Sequence, residues 1–284
     1  MQIIVIILVV LAALIVLLFG LWLFLTAPGG GRKRARAFAR VCYAHRGLHN
    51  AERAENSLSA FRAAAGAGFG IELDVRLSAD GEVVVIHDPD LRRVAGVDRR
   101  VRDMTAAELA AVSLSGTGEG VPLFRDVLSA VAGRVPILVE IKEDTAAERD
   151  VTPATLAVLR DYDGACFIEG FNPFSIARTR KDAPATVRGM LSDHFTLRKE
   201  TDTPMFRVLQ LFLTNVIARP QFIAYNGLAR GYLPFRLLRG LFRIPTFAWT
   251  IRTPEEEKIC REAGFDSVIF ENYIPDHGRV TDEQ

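Results

Sequence analysis

The chain has 284 residues, 49% of them hydrophobic, and a formal net charge of +1. That length and apolar share suit one large folded domain with an appendage, and the near-neutral charge argues against a nucleic-acid partner, which leaves a strongly basic footprint. Three cysteines (Cys42, Cys166 and Cys260) lack metal-ligand spacing and argue against a disulfide framework, which favours a reducing compartment.

From Ile3 to Leu25 there is no charged side chain, and Ile, Val and Leu dominate. At about 1.5 Å rise per residue such a run spans a hydrocarbon core of roughly 30 Å. Nothing basic precedes it, and the apolar core is longer than that of a cleaved signal peptide. Arg32, Lys33, Arg34, Arg36 and Arg40 follow it, so the positive-inside tendency places the rest of the chain in the cytoplasm. The expected organisation is a single-pass transmembrane anchor over residues 1–26, a basic linker over 27–40 and a folded domain over 41–284. Ala27 to Gly31 reads as a flexible exit, with the basic cluster free to rest on anionic headgroups.

Beyond Arg40, short apolar runs alternate with helical stretches. Val41 to Ala44 reads as a strand ending in His45-Arg46-Gly47. A loop with Glu55-Asn56 follows, and Ser57 is placed to cap a helix from Leu58 to Gly66. Gly70 to Asp88 reads as a hairpin. Glu72 and Asp74 share one face of its first arm, Asp80-Gly81 supplies the turn, and the return arm ends at His87. Thr105 with Glu108 three residues on predicts a capping box. A helix is expected over Leu123 to Val131, and an apolar strand from Val135 leads to Glu140 and Lys142. Further strand-like runs begin at Ala165, Thr186, Phe222, Thr246 and Ser267. Pro254 to Ala263 is the clearest helix among them, with Thr253 as its cap.

Eight such strands over some 240 residues predict an α/β fold, a closed (β/α)8 TIM barrel, rather than an open doubly wound sheet. Working residues in such barrels come from the C-terminal ends of strands, and the polar residues here obey that rule. Glu72, Asp74 and Glu140 form a hard-oxygen set suited to Mg2+ or Ca2+. Arg46 and Lys142 are candidate phosphate contacts, and His45 with His87 can take and give a proton. Glu55 is a candidate contact to the metal surroundings or a substrate hydroxyl, and Trp249 a candidate pocket wall. His49, His194 and His277 carry no pattern. This combination suggests phosphodiester cleavage.

These residues carry a resemblance. HRG (His45 to Gly47), EN (Glu55, Asn56), ELD (Glu72 to Asp74), HDP (His87 to Pro89) and VEIK (Val139 to Lys142), in that order, resemble the glycerophosphodiester phosphodiesterase family, as do FNP (Phe171 to Pro173), FIAYN (Phe222 to Asn226) and WTI (Trp249 to Ile251). The resemblance implies a barrel with a small insertion after strand 2. It also implies a divalent cation on Glu72, Asp74 and Glu140, and His45 and His87 as the acid/base pair. It suggests His45 as base, although the sequence does not fix that direction. The implied substrates are glycerophosphodiesters or lysophospholipids, within lipid metabolism, with attack either by the glycerol 2-hydroxyl or by water. Ala54, Asn226 and the SVIFEN run (Ser267 to Asn272) depart from the family pattern and bear on substrate choice. Two alternatives stay open: a related barrel phospholipase of C or sphingomyelinase D type, and a membrane-anchored binding protein without activity. Finally, Pro204 to Ala218 and Leu233 to Arg243 read first as barrel helices that bury an apolar face on the sheet, but they hold more bulky apolar residues than one such face accounts for, as in helices lying in a membrane interface.

Overall fold

The computed structural model describes residues 1–143, 145, 148–197 and 203–280. In chain order the elements are α1 (Gln2–Thr26), α2 (Arg32–Phe38), β1 (Tyr43–Ala44), α3 (Leu58–Gly66), β2 (Gly70–Leu77) and β3 (Val83–Val85). A small insertion holds β4 (Asp90–Leu91), α4 (Arg92–Ala95), β5 (Val97–Arg100) and α5 (Ala106–Ala110). Then come α6 (Phe124–Val131), β6 (Ile137–Ile141), α7 (Val151–Leu159), β7 (Cys166–Glu169), α8 (Pro173–Asp182) and β8 (Val187–Ser192). The chain continues through α9 (Pro204–Gln210), α10 (Asn215–Ala218), β9 (Phe222–Asn226), α11 (Leu233–Phe242), β10 (Thr246–Ile251), α12 (Pro254–Glu262) and β11 (Ser267–Phe270).

Eight of these strands run parallel in the order β1, β2, β6, β7, β8, β9, β10, β11, and β11 pairs back onto β1 to close the barrel. β3 is the extra arm of the hairpin, antiparallel to β2. The insertion therefore follows this return arm. It packs its own small core of Val84, Ile86, Leu91, Val94, Met104 and Leu109. Local chemistry explains several boundaries. Ser57 accepts from the Ala60 N–H to cap α3, and Thr105 and Glu108 form the reciprocal capping box of α5. Asp80-Gly81 makes the β2–β3 turn, with Gly81 at φ +79°, a conformation only glycine adopts without strain.

The stretch expected to be a flexible exit is instead packed. Gly29 N–H donates to Pro220 O at 2.8 Å, and Gln221 Nε2 donates to Gly30 O at 2.7 Å. α2 lies across the N-terminal end of the barrel, burying Ala35 and Ala39 and stacking Phe38 on Phe167 with ring centroids 4.3 Å apart. Beneath it Tyr43, Phe167, Phe222 and Phe247 fill the barrel interior. Arg32, Arg34 and Arg36 donate to the carbonyls of Phe242, Ala185 and Arg243. These arginines satisfy loop carbonyls at the barrel's base, so they are not free to lie on headgroups.

The apolar run from Pro204 to Ala218 is two helices rather than one. Phe212, at φ +61°, breaks it and turns its ring inward beside Tyr225 and Phe235. That break is why its apolar residues need not share one helical face.

Candidate active site

Each candidate residue except Glu55 sits on a strand or within two residues past a strand's end, where the parallel barrel gathers them from distant parts of the chain. The period of two along β2 points Glu72 and Asp74 inward, and in-register pairing sets Asp74 opposite Glu140 on β6. All three carboxylates are buried, and each offers an oxygen within 4.8 Å of the others. Asp74 is the best supported. Asn56 Nδ2 donates to it at 2.9 Å, Lys142 Nζ lies 3.0 Å from Oδ1, and Arg46 Nε lies 3.3 Å from Oδ2. Lys142 also bonds Glu140 at 2.6 Å, and the Arg46 N–H donates to Glu72 at 3.0 Å.

The electrostatics follow from burial and charge. Burial alone would raise the Asp74 carboxyl, but Lys142, His87 and Arg46 outweigh it and hold it well below the ordinary range. Burial, reinforced by repulsion from Asp74 and Glu140, pushes Glu72 well above its ordinary value. Glu140 is pushed up to about 7, burial and Asp74 prevailing over the opposing Lys142. Such a crowded oxygen set is what a hard divalent cation takes, since the cation offsets both the desolvation and the mutual repulsion. The donor chemistry therefore fits Mg2+ or Ca2+ and gives no thiolate or imidazole preference toward softer metals.

The two histidines flank this trio, and each is held by its own carboxylate. His45 follows β1, and its Nδ1 donates to Glu271 Oε2 at 2.8 Å. His87 follows β3, and its Nδ1 donates to Asp88 Oδ1 at 2.6 Å. A carboxylate accepts only, so each ring keeps its proton on Nδ1 and leaves Nε2 for a reacting group. Burial lowers both imidazoles below the usual histidine value. The bond from His45 pulls Glu271 down to about 2 against its own burial.

His45, Arg46, Glu72, His87, Glu140, Lys142 and Trp249 line a single cleft of about 290 Å3 at the barrel mouth. Phe171, Leu191, Leu228 and Ile269 give it an apolar wall. Glu55 faces differently. Its carboxylate accepts from Arg46 at 2.8 Å and twice from Arg93, at 2.6 and 2.7 Å, so it orients Arg46 from outside the cleft. Arg93, on α4, also donates to Asp88 Oδ2 at 2.6 Å, which ties the insertion to the support of His87.

Five participants escaped the sequence reading: Glu271, Asn56 as the partner of Asp74, Asp88 as the partner of His87, Arg93, and Glu169. Glu271 and Glu169 each close an apolar strand run, SVIF and CFI, and the strand-end rule that found Glu140 points to them too. Glu169 is fully buried on the cleft wall, and one of its oxygens has no hydrogen-bond partner. Burial, with Glu140 and Glu72 adding to it, holds its carboxyl well above the ordinary range. Arg93 had no local signal, because its role comes from the fold of the insertion.

The sequence profile of the glycerophosphoryl diester phosphodiesterase family matches residues 45–274. The chain belongs to that family. Members of the glycerophosphoryl diester phosphodiesterase family hydrolyse glycerophosphodiesters, and this chain is accordingly a phosphoric diester hydrolase. It is 26% identical over 235 residues to a glycerophosphodiester phosphodiesterase of Caldanaerobacter subterraneus, covering 77% of this chain and 88% of that one. A 124-residue stretch, 39% of this chain, is 32% identical to human lysophospholipase D GDPD1, of which it covers 38%. The crystal structure of the Thermotoga maritima glycerophosphodiester phosphodiesterase superposes with a TM-score of 0.64 at 29% identity, over 81% of this chain and 93% of that one. α1 is long and apolar enough to cross a membrane by length and composition, a test that a signal sequence also passes.

Proposed function

We propose that this chain is a membrane-anchored, divalent-cation-dependent glycerophosphodiester phosphodiesterase in which His45 and His87 are the acid/base pair. Glu72, Asp74 and Glu140 would hold the cation. Arg46 and Lys142 would hold the phosphoryl oxygens, and Trp249 would wall the leaving-group side. The observation that carries this reading is the convergence in one cleft of a buried carboxylate trio, the buried Lys142, the partly buried Arg46 and two histidines whose Nδ1 atoms are already bound.

The cation, when bound, neutralises charge developing on the phosphoryl oxygens. Arg46 and Lys142 add fixed positive charge that needs no reorganisation during reaction. His45, neutral because burial lowers it, accepts a proton through Nε2 from the attacking hydroxyl, and Glu271 steadies the imidazolium that forms. His87 returns a proton to the leaving alcohol, and the bound phosphodiester's negative charge favours its protonated form. The same two transfers serve attack by the glycerol 2-hydroxyl or by water. Retention of α1 as an anchor is supported by its last turn, where Trp22 Nε1 donates to Leu211 O at 3.3 Å and Thr26 is fully buried. Five basic residues directly after α1 and free, buried or half-buried cysteines support a cytoplasmic barrel. The apolar cleft wall and the human lysophospholipase D relative support lysophospholipids as a second substrate class.

The test is turnover of full-length protein on a substrate panel, with product identification and with or without chelator. Glycerol phosphate (or lysophosphatidate) and free alcohol should appear, vanish with EDTA and return with Mg2+ or Ca2+. Glu72→Gln, Asp74→Asn and Glu140→Gln should each abolish the metal-dependent rate, because each removes one of three hard charges. Near-normal rates in all three would refute the cation site, and a phosphorylated headgroup as product would make this a phospholipase of C type.

A further inference from the structure

Among the described residues, the four most exposed large apolar side chains beyond α1 lie on one side of the barrel's mouth. Phe174 follows β7, Met205 follows β8, and Leu228 and Leu233 follow β9. They are 65%, 61%, 73% and 60% exposed, respectively. These are neighbouring strands in the barrel, so the four residues form one arc of rim. Leu228 also lines the catalytic cleft, so the arc reaches the site itself. Large apolar side chains exposed together at the rim of a cleft mark a place where something apolar sits.

The direction of α1 says what that is. The chain from Leu211 to Pro220 descends from the mouth side toward the barrel's base, where β9 begins. α1 is bound along it in reverse. Arg219 Nη1 donates to Ala27 O at 2.9 Å near the base, Asn215 Nδ2 to Thr26 O at 3.1 Å above it, and Trp22 Nε1 to Leu211 O higher still. Read from Thr26 back to its start, the helix therefore climbs toward the mouth, on the flank that carries α9 and α10. From Met1 to Leu21 every residue is exposed. Twenty helical residues rise about 30 Å, which is what a hydrocarbon core needs. No length remains to hold the mouth away from the membrane.

We infer that the mouth of the barrel rests against the lipid bilayer that α1 crosses, with Phe174, Met205, Leu228 and Leu233 seated in its interface. The inference takes α1 as a retained span and deepens the substrate proposal above. In this placement the cleft opens onto the headgroup layer, and a single-chain phosphodiester lipid enters sideways past Leu228 with its acyl chain still in the bilayer. α2 and its arginines lie at the opposite end, away from the membrane, consistent with their use as caps for loop carbonyls.

The test uses the full chain in phosphatidylcholine vesicles. Met205→Cys, Leu233→Cys and, as a control at the base, Lys181→Cys are each labelled with bimane and exposed to vesicles carrying doxyl-labelled phosphatidylcholine. Two native thiols are buried and the third half-buried, and burial raises all three, Cys166 to about 12, so labelling falls on the introduced cysteine. Quenching should be several-fold stronger at the two rim positions than at the base. Equal quenching, stronger quenching at Lys181→Cys, or failure of the chain to float with vesicles overturns the inference. A second measurement reads the consequence. Met205→Ser with Leu233→Ser should cut turnover of vesicle-borne lysophosphatidylcholine several-fold and leave turnover of water-soluble glycerophosphocholine unchanged. Equal losses on both, or none on either, would overturn it. Quenching needs no turnover, so an inactive preparation that still quenches at the rim would reject the catalytic reading and keep the orientation.

Discussion

Glu271 is the most informative residue to perturb, because its only argued role is exerted through His45. The pair lie 2.8 Å apart and are both largely shielded from solvent. The His45 bond, ahead of any other influence, carries Glu271 from its ordinary 4.5 to about 2. At about 1.4 kcal/mol per pH unit that difference is worth roughly 3 kcal/mol. Arg252, 3.4 Å away, supplies part of it, and solvent screens another part, so the His45 share is on the order of 1.5–3 kcal/mol. If the imidazolium forms in the transition state, Glu271→Gln should therefore lower kcat by between about 10-fold and about 200-fold, with KM little changed. The sign of the pH effect is also fixed. Glu271 favours protonated His45, so its removal lowers the histidine further, and the acidic limb of the pH–rate profile should move to lower pH. Glu271→Asp should restore part of kcat. The assay is a pH series of kcat and kcat/KM on glycerophosphocholine at saturating cation. An unchanged kcat with an unmoved acidic limb would refute the positioning role. A uniform loss of folded protein, read by thermal melting, would make Glu271 a structural residue only.

Three further outcomes follow from the geometry. His87→Ala should lower the rate by roughly 100-fold or more with cation affinity unchanged by calorimetry, and a loss of cation binding would move His87 among the ligands. Glu169→Gln should raise the melting temperature in chelator, and by more at pH 8 than at pH 5. A carboxyl held above its unfolded value costs stability progressively as pH rises past that value, and a pH-independent difference would contradict this. Phe38→Ala should cost about 2 kcal/mol, half the value for a fully buried ring because Phe38 is half-buried, and lower the melting temperature by about 4–8 °C; no change would mean that α2 does not hold the barrel's base.

The barrel was legible because its strands are buried on both faces and read as continuous apolar runs, each followed by polar residues at a predictable end. Gly70 to Leu77 and Val135 to Lys142 are of this kind, and pairing them in register delivers Asp74 to Glu140. α2 was not legible for the same physical reason. RKRARAF has the composition of a solvated or headgroup-bound segment, and only the barrel's open base, lined by Tyr43, Phe167 and Phe247, makes Ala35, Phe38 and Ala39 a packing face. The arginines between them bind carbonyls that exist only once β8, α11 and their loops have assembled.

The same distinction separates the parts of the site that the sequence showed from those it hid. Glu72, Asp74, His45 and Lys142 announce themselves because a charge inside or directly beyond an apolar run has no cheap explanation other than a partner across the barrel. Residues that hold those groups in place carry no such contradiction. Arg93 sits in a polar helix, and Asp88 beside a proline looks like a turn former. Asn56 is one polar loop residue among several. Their roles arise from convergence: Arg93 spans Glu55 and Asp88, and so links the residue that orients Arg46 to the one that orients His87. The insertion that carries Arg93 thus belongs to the proposed catalytic geometry, because Arg46 and His87, the two ends of the proposed phosphate-facing set, are both held through one guanidinium. A change in the insertion that moves α4 must therefore reach Arg46 and His87 together.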